Sequence, residues 1–280
     1  MRSTRTMACY ALVIAFALLV TPTGALASTF TIVDIPGAEA AGINPQGDIV
    51  GFYIVGTANH GLLLGKEGTL TTIDVPGASL TRARGISPQG DIVGFYITGS
   101  ISHSFLLHEG TFTIIDVPGA SFTRARGISP RGDIVGFYGD AGGSTHGYLL
   151  DKEGTFTTID VPGASLTQAF GINPRGDIVG VYVAGGATHG FLLDREGTFT
   201  TIDVPGASLT QAFGINPRGD IVGSYVVGGA THGFLLDKKG TFTPIDVPGA
   251  SFTEALAVNP RGDIVGRYSI GGTFHGFLAR

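Results

Sequence analysis

One stretch of the 280-residue sequence decides the fold: residues 155–197, which read TFTTIDVPGASLTQAFGINPRGDIVGVYVAGGATHGFLLDREG. Residues 198–240 repeat it with only four substitutions, which indicates a recent duplication. Inside the stretch, four short runs rich in β-branched, aromatic and aliphatic residues alternate with Gly, Pro, Asn and Asp. Such runs bounded by turn-forming residues predict short β-strands.

Weaker copies of this stretch extend on both sides of it. The Ile-Asp-Val-Pro-Gly phrase, or a close variant, has its Asp at positions 34, 74, 116, 160, 203 and 246, and six histidines recur once per copy. The copies define six units at 29–68, 69–110, 111–154, 155–197, 198–240 and 241–280. We therefore interpret residues 28–280 as a single repeat domain.

The turns predict how the strands of a unit are grouped. Tight turns are predicted at Asn173–Gly176 and Asp194–Gly197, whereas the longer link 161–168 contains a proline that would interrupt a ladder. One sheet then holds three strands of one unit and the first strand of the next. The last unit lacks its outer strand, which residues 29–34 can supply. The sequence thus predicts an all-β fold, a six-bladed β-propeller with velcro closure by the N-terminal strand. A β-solenoid is the alternative.

The first 27 residues predict the location of the protein. Arg2 and Arg5 precede an apolar run at 8–20, and Ala25–Ala27 fits a cleavage site, as in a secretory signal peptide. The expected location is secreted or periplasmic. The only cysteine, Cys9, would leave with this segment, which excludes disulfides and thiol chemistry from the mature chain. We expect no membrane insertion after cleavage.

Composition and charge limit the function classes. With 43% hydrophobic residues the chain is too apolar for a disordered protein. The formal net charge is −5, and it becomes −7 without Arg2 and Arg5. An acidic chain argues against nucleic acid as a partner. We expect a monomer. We also expect no cofactor and no metal, because calcium-loop, zinc-protease, phosphate-loop and serine-hydrolase motifs are all absent from the sequence.

The repeated phrases resemble a known family. His189-Gly-Phe191, Ile-Asp-Val-Pro-Gly-Ala and Gly-Ile-Asn-Pro-x-Gly-Asp-Ile-Val-Gly are similar to the HAF-type bacterial extracellular repeat, over residues 29–280. The pattern departs at Leu62 and Tyr148, which replace Phe, and at Ser104, which replaces Gly. The resemblance implies export and a β-rich array, and it implies no activity for particular residues.

Two repeated motifs have plain structural interpretations. Arg-Gly-Asp occurs four times, at 131–133, 175–177, 218–220 and 261–263, but Gln46 and Gln89 replace its Arg in the first two units. We expect it to be turn chemistry rather than a cell-adhesion site. The six repeated histidines are expected to form structural hydrogen bonds, since a metal site needs ligands that converge on one ion.

Positions that differ between units are the candidate site. In the Thr-x-Ala-x-Gly-Ile segment, which should form the innermost strand, the first variable position is Glu39, Arg82, Arg124, Gln168, Gln211 and Glu254, in unit order. The second is Ala41, Arg84, Arg126, Phe170, Phe213 and Leu256. The candidate ligand-binding residues are Arg82, Arg84, Arg124, Arg126, Glu39 and Glu254. They predict a channel with a basic side and an acidic side, although drift at solvated positions would give the same pattern.

Two functions are consistent with these features. The first is an exported, non-catalytic β-propeller that acts as a binding or scaffold module, with an anionic glycan or small molecule as the expected ligand. The alternative is a hydrolase or lyase that uses Glu39 and Glu254 as an acid–base pair. That chemistry requires one carboxyl pKa to be raised by burial or by a neighbouring charge.

Overall fold

A computed structural model describes residues 30–33 and 37–280. These residues form 24 β-strands and no helix, which agrees with the predicted all-β class. It follows that no helix among them is long and apolar enough to cross a membrane. The signal-peptide prediction for residues 1–27 concerns a segment outside the described residues, as does Asp34 of the first repeated phrase.

The strands follow one another at the spacing of the sequence repeat. In chain order they are β1 (Phe30–Val33), β2 (Glu39–Ile43), β3 (Ile49–Val55), β4 (Ala58–Leu64), β5 (Leu70–Ile73), β6 (Leu80–Ile86), β7 (Ile92–Thr98), β8 (Ile101–His108), β9 (Thr111–Ile114), β10 (Phe122–Ile128), β11 (Ile134–Gly139), β12 (Thr145–Leu150), β13 (Phe156–Ile159), β14 (Leu166–Ile172), β15 (Ile178–Ala184), β16 (Ala187–Leu193), β17 (Phe199–Ile202), β18 (Leu209–Ile215), β19 (Ile221–Val227), β20 (Ala230–Leu236), β21 (Phe242–Ile245), β22 (Phe252–Val258), β23 (Ile264–Ile270) and β24 (Thr273–Ala279).

Consecutive strands pair antiparallel in groups of four. In the group β14–β17, Ala169 pairs with Gly180, Gly180 with Phe191, and Phe191 with Thr201. The outer strand β17 belongs to the next sequence repeat, as predicted. Each group is joined to one neighbour by a single parallel pair, such as Thr145 with Leu166, so the strands are assigned to three eight-stranded sheets.

The turn residues act as expected. Gly176 N donates to Asn173 O at 3.1 Å and Gly197 N donates to Asp194 O at 3.0 Å. Gly176 has φ +93° and Gly197 has φ +88°, in the left-handed region that favours glycine. Both predicted turns are therefore confirmed.

The link between groups is shorter than the sequence indicated. Strand β14 starts at Leu166, so the predicted link 161–168 is wrong at its end. The Thr167 hydroxyl accepts a hydrogen bond from Val161 N at 3.1 Å, and Thr167 pairs with Tyr182. Pro162 therefore disturbs only the start of the link, where no ladder forms.

Identical contacts join one group to the next. The valine of every Gly-Asp-Ile-Val phrase is completely buried, at positions 50, 93, 135, 179, 222 and 265. Val179 lies in one buried cluster with Ala212 and Phe234 of the following unit, and Val93 lies likewise with Ala125 and Tyr148. The buried residues of the repeated phrases therefore form the core, and they do so by packing each unit against the next.

The first and last units also contact each other. Val265 lies in a cluster with Ala40 and Ile49, so the sixth unit uses the same interlock on the first. Strand β1 pairs with β24, with Phe30 opposite Ala279, as the velcro prediction required. An open solenoid would leave its terminal units without such contacts, so that alternative does not fit.

Candidate functional site

Six side chains, one from each inner strand, surround the axis of the molecule. We call them the collar: Ala41, Arg84, Arg126, Phe170, Phe213 and Leu256. They are the second variable positions of the six units. All of them line each of two cavities that lie along this axis. In every inner strand the residue after the collar position is Gly or Ala and is closely packed. A Cβ at Gly85, for example, would lie 2.9 Å from Arg126 O of the neighbouring strand. The backbones of adjacent inner strands therefore approach closely, and the variable side chain is left to face the channel.

The larger of these two cavities, which we call the axial cavity, has a volume of about 310 Å³. Besides the collar it is lined by Glu39, Arg82, Gln211, Glu254 and Arg267. The smaller cavity, of about 110 Å³, lies beyond the collar and is bounded by the residues that follow the collar position in each strand. The axial cavity has the size of a small-molecule pocket, for which ~300–1,000 Å³ is usual.

An ion-pair network occupies one side of the axial cavity. Arg84 Nη1 contacts Glu39 Oε1, and Arg267 Nη1 donates to Glu39 Oε2 at 3.1 Å. Arg267 Nε donates to Glu254 Oε2 at 2.6 Å, so the two predicted glutamates are neighbours that share one arginine. Burial acts to raise the pKa of Glu39, but the charges of Arg84, Arg267 and Arg126 outweigh it and lower that pKa.

This network corrects two sequence-based expectations. The acidic side of the channel is not a free negative surface, because its carboxylates are held by Arg84 and Arg267. Glu39 also lacks the raised pKa that a general acid needs near neutral pH. The acid–base pairing of Glu39 with Glu254 is therefore disfavoured.

Arg82 and Arg124 occupy equivalent positions but different surroundings. Arg82 donates from Nη2 to Asn59 Oδ1 at 2.7 Å, and its guanidinium lies 4.1 Å from the centroid of the Phe52 ring. Burial and the nearby Arg84 lower the pKa of Arg82 to about 10. Arg124 donates to Ser102 Oγ at 3.2 Å and is not among the residues that line the cavity. Three of the four predicted arginines thus face the channel.

Arg126 is the exceptional side chain of the site. Its Nε is buried without a hydrogen-bond partner among the described residues, and its other guanidinium nitrogens form no hydrogen bond there either. Its guanidinium lies 5.1 Å from the Phe137 ring centroid and 5.2 Å from that of Phe170. Burial, with Arg84 as the next cause, lowers its pKa well below the ordinary value. Removing a cation from water without a charged partner is costly.

The sum of the charges around the axial cavity is positive. Four arginines and two glutamates line it, so two positive charges are uncompensated within the lining. Apart from Gln211, the remaining wall is apolar: Phe170 and Phe213 meet edge to face at 5.4 Å, and Leu256 and Ala41 line the wall with them. The site therefore combines excess positive charge with an aromatic surface.

Sequence reasoning missed Arg267. It lies on β23, opposite Glu254 on the inner strand, at the position that follows Gly-Asp-Ile-Val-Gly. The residues there are Phe52, Phe95, Phe137, Val181, Ser224 and Arg267. This position varies between units as strongly as the inner-strand positions do, and that variation was the signal that could have found it.

Five of the six repeated histidines form structural hydrogen bonds, as expected, whereas Nδ1 of His275 is buried without a partner among the described residues. His189 Nδ1 lies 2.9 Å from Asp203 Oδ2, and the equivalent pairs in four other units lie within 2.5–3.0 Å. A tyrosine of the same unit packs on each imidazole, for example Tyr182 at 5.1 Å. These aspartates thus hold the histidines, and Asp116 also accepts a hydrogen bond from Ser104 N at 2.9 Å. The part of the chain that the structure describes holds no cluster of three or more potential metal ligands.

The Arg-Gly-Asp segments lie in the turns, but their arginines also join neighbouring units. Arg175 donates to Asp177 Oδ2 at 2.9 Å and to Pro217 O of the next unit at 3.2 Å. Arg218 does the same with Asp220 and Pro260. The side chains are half exposed. They are structural, although they do more than face solvent.

The fold resembles solved β-propellers. A putative TolB from Agrobacterium tumefaciens matches with a TM-score of 0.62 at 16% identity, over 88% of this chain and 91% of that one. TolB from Acinetobacter baumannii matches with 0.60 at 16% identity over 74% of this chain, which spans about half (54%) of that protein. A putative gluconolactonase matches with 0.54 at 13% identity, over 94% of both chains.

A streptogramin B lyase structure matches with a TM-score of 0.52 at 13% identity, over 90% of this chain and 98% of that one. No family model matches the sequence, and no curated protein does. At these identities the likeness concerns the fold alone. The chain has a β-propeller fold.

Proposed function

We propose that the protein is an exported, non-catalytic binding module whose axial cavity holds a small anionic ligand. The observation that carries the proposal is the lining of that cavity, in which positive charge exceeds negative charge and Arg126 has no hydrogen-bond partner among the described residues. A ligand carboxylate, phosphate or sulfate would supply the missing partner, because guanidinium groups bind such anions through paired N–H donors.

The lining also supports binding rather than catalysis. Both carboxylates of the cavity are bound to arginines, and the pKa of Glu39 is lowered. A hydrolase or lyase would need a free acid or base within reach of its substrate. Some propellers of similar fold are named as a lyase or as a putative gluconolactonase, but the carboxylates here are not arranged for acid–base work.

Three further elements belong to this proposal. The six units would be six blades of one ring, which the equivalent interlocks at Val50, Val93, Val135, Val179, Val222 and Val265 support. Units 29–280 would be HAF-type bacterial repeats. Export through the predicted signal peptide, to the periplasm or the medium, would leave residues 28–280 as the functional chain.

Two matched variants test the binding site. Arg82→Gln and Arg124→Gln change the same position of adjacent units, and Gln168 and Gln211 hold that position in two other units, so the fold accommodates glutamine there. Only Arg82 lines the axial cavity. Calorimetric titration of residues 28–280 with small carboxylates and their neutral amides should show tighter binding of each carboxylate than of its amide.

Arg82→Gln should weaken this binding, whereas Arg124→Gln should leave it unchanged. Rising salt should reduce the affinity only modestly, since partly buried charges are screened less than exposed ones. Equal binding of anions and neutral amides, or no binding of any anion, would refute the proposed function.

A further inference from the structure

The collar divides into a cationic part and an apolar part. Arg84 and Arg126 come from the second and third units, while Phe170, Phe213 and Leu256 come from the fourth, fifth and sixth. All five side chains are only partly buried, and they all line the channel. A ligand that sits in the collar therefore meets positive charge on one side and aromatic or aliphatic surface on the other.

The cationic part has capacity for one anionic group. Arg84 is already bound to Glu39, which leaves Arg126 as the collar arginine without a carboxylate or a hydrogen bond among the described residues. The rings of Phe137 and Phe170 lie within 5.2 Å of its guanidinium carbon. A single carboxylate would complete a charge-assisted pair with Arg126.

The apolar part has a continuous surface. Phe137 and Phe170 meet edge to face at 6.0 Å, and Phe170 and Phe213 meet at 5.4 Å. Leu256 and the buried Ala41 complete the ring. When a ligand covers apolar surface that is open to a channel, removal of that surface from water favours binding. A polar anion, such as a sugar acid, would leave this surface uncovered.

We infer that the collar binds a small monocarboxylate with an aromatic or aliphatic body, its acid group at Arg126 and its body on Phe170, Phe213 and Leu256. This inference rests on the proposed function and narrows it from any small anion to one amphipathic class. The volume of the axial cavity, about 310 Å³, suits one such molecule rather than a polymer.

The test uses three probes of different chemistry. Phenylacetate carries both groups, phenylacetamide keeps only the aromatic ring, and glucuronate keeps only the carboxylate on a polar body. By calorimetry with residues 28–280, phenylacetate should bind at least roughly tenfold more tightly than either of the others, the factor that ~1.4 kcal/mol supplies.

Variants copied from other units keep the fold intact. Arg126→Leu places at the collar the residue that unit six has there, and Phe213→Ala places the residue of unit one. Arg126→Leu should reduce phenylacetate affinity at least roughly tenfold and leave phenylacetamide unaffected. Phe213→Ala should weaken phenylacetate but not glucuronate. The control is Arg131→Gln, which changes a turn arginine outside the cavity to the residue of units one and two and should change nothing.

The outcomes separate the two proposals. If glucuronate binds as tightly as phenylacetate, the amphipathic inference is overturned and anion binding stands. If phenylacetate binding survives Arg126→Leu, the assigned seat of the carboxylate is wrong. If phenylacetamide binds as well as phenylacetate, or if none of the probes binds, both the inference and the proposed function fail.

Discussion

Ring closure can be measured by comparing one interlock that the chain makes anyway with the one that joins its ends. Val179 and Val265 are both completely buried, and each lies in a cluster with the next unit, which for Val265 is the first unit. A Val→Ala change removes two methyl-sized groups at about 0.8 kcal/mol each and leaves a small cavity. Each substitution should therefore cost about 2 kcal/mol of unfolding free energy.

Urea denaturation of residues 28–280, followed by circular dichroism because the chain has no Trp, provides the assay. With an m-value of ~3 kcal/mol/M, a loss of about 2 kcal/mol lowers the midpoint by roughly 0.7 M. Val179→Ala and Val265→Ala should lower it equally. A second pair of variants repeats the test: Phe30→Ala on the closing strand and Phe199→Ala at the equivalent interior position. The two sites are alike, because the ring centroids lie 5.8 Å apart for Phe30 and Phe277 and 5.6 Å apart for Phe199 and Phe191.

A midpoint that falls for Val179→Ala but not for Val265→Ala would show that the ring is open in solution. If neither substitution changed the midpoint, the assignment of these valines to the core would itself be wrong. A lower m-value in the closing variants alone would indicate that the terminal units unfold separately.

Four further outcomes follow from single residues. Ser224→Ala should raise the thermal midpoint, because the completely buried Ser224 hydroxyl lacks a hydrogen-bond partner among the described residues and such a group costs ~1–3 kcal/mol. Gly176→Val should lower the free energy of unfolding by more than about 1 kcal/mol, since φ +93° strains a β-branched residue although no atom blocks its Cβ. Arg175→Ala loses only half-exposed contacts, so in the same denaturation assay it should lower the free energy of unfolding by less than ~1 kcal/mol. Because the pKa of Glu39 is lowered in the folded protein, its stabilising contribution is complete above pH ~4.5 and is lost as the pH falls through that lowered pKa. Between pH 5 and pH 3, the Glu39→Gln variant should therefore lose less stability than the unsubstituted protein, as measured by differential scanning calorimetry.

Repetition made the fold readable from the sequence. Each unit repeats the same strand and turn signals, so an error in one copy is corrected by the others, and the turn at Asn173–Gly176 is found again at 216–219 and 259–262. The start of β14 was misplaced because Pro162 was taken to interrupt a longer segment than it does. Local signals therefore define which strands exist better than where they begin.

The site was only partly predictable, because charge partners depend on distances across strands. The sequence placed Glu39, Arg82, Arg84, Arg126 and Glu254 near the axis, and all of them line the axial cavity. It could not show that Arg267, from a different strand, would hold both glutamates. Nor could it separate Arg82 from Arg124, which hold equivalent positions but bind different partners, Asn59 and Ser102.

The collar also has a consequence for how such a protein can change over generations. Each unit contributes one collar side chain, and the alanine that precedes it is fixed by packing, as the completely buried Ala83, Ala125 and Ala169 illustrate. Four residue types already occupy the six collar positions. A single codon per repeat can therefore alter the lining of the channel while the packed residues of the strand stay the same. A duplicated repeat, such as the one at 198–240, adds one more such position on which selection can act.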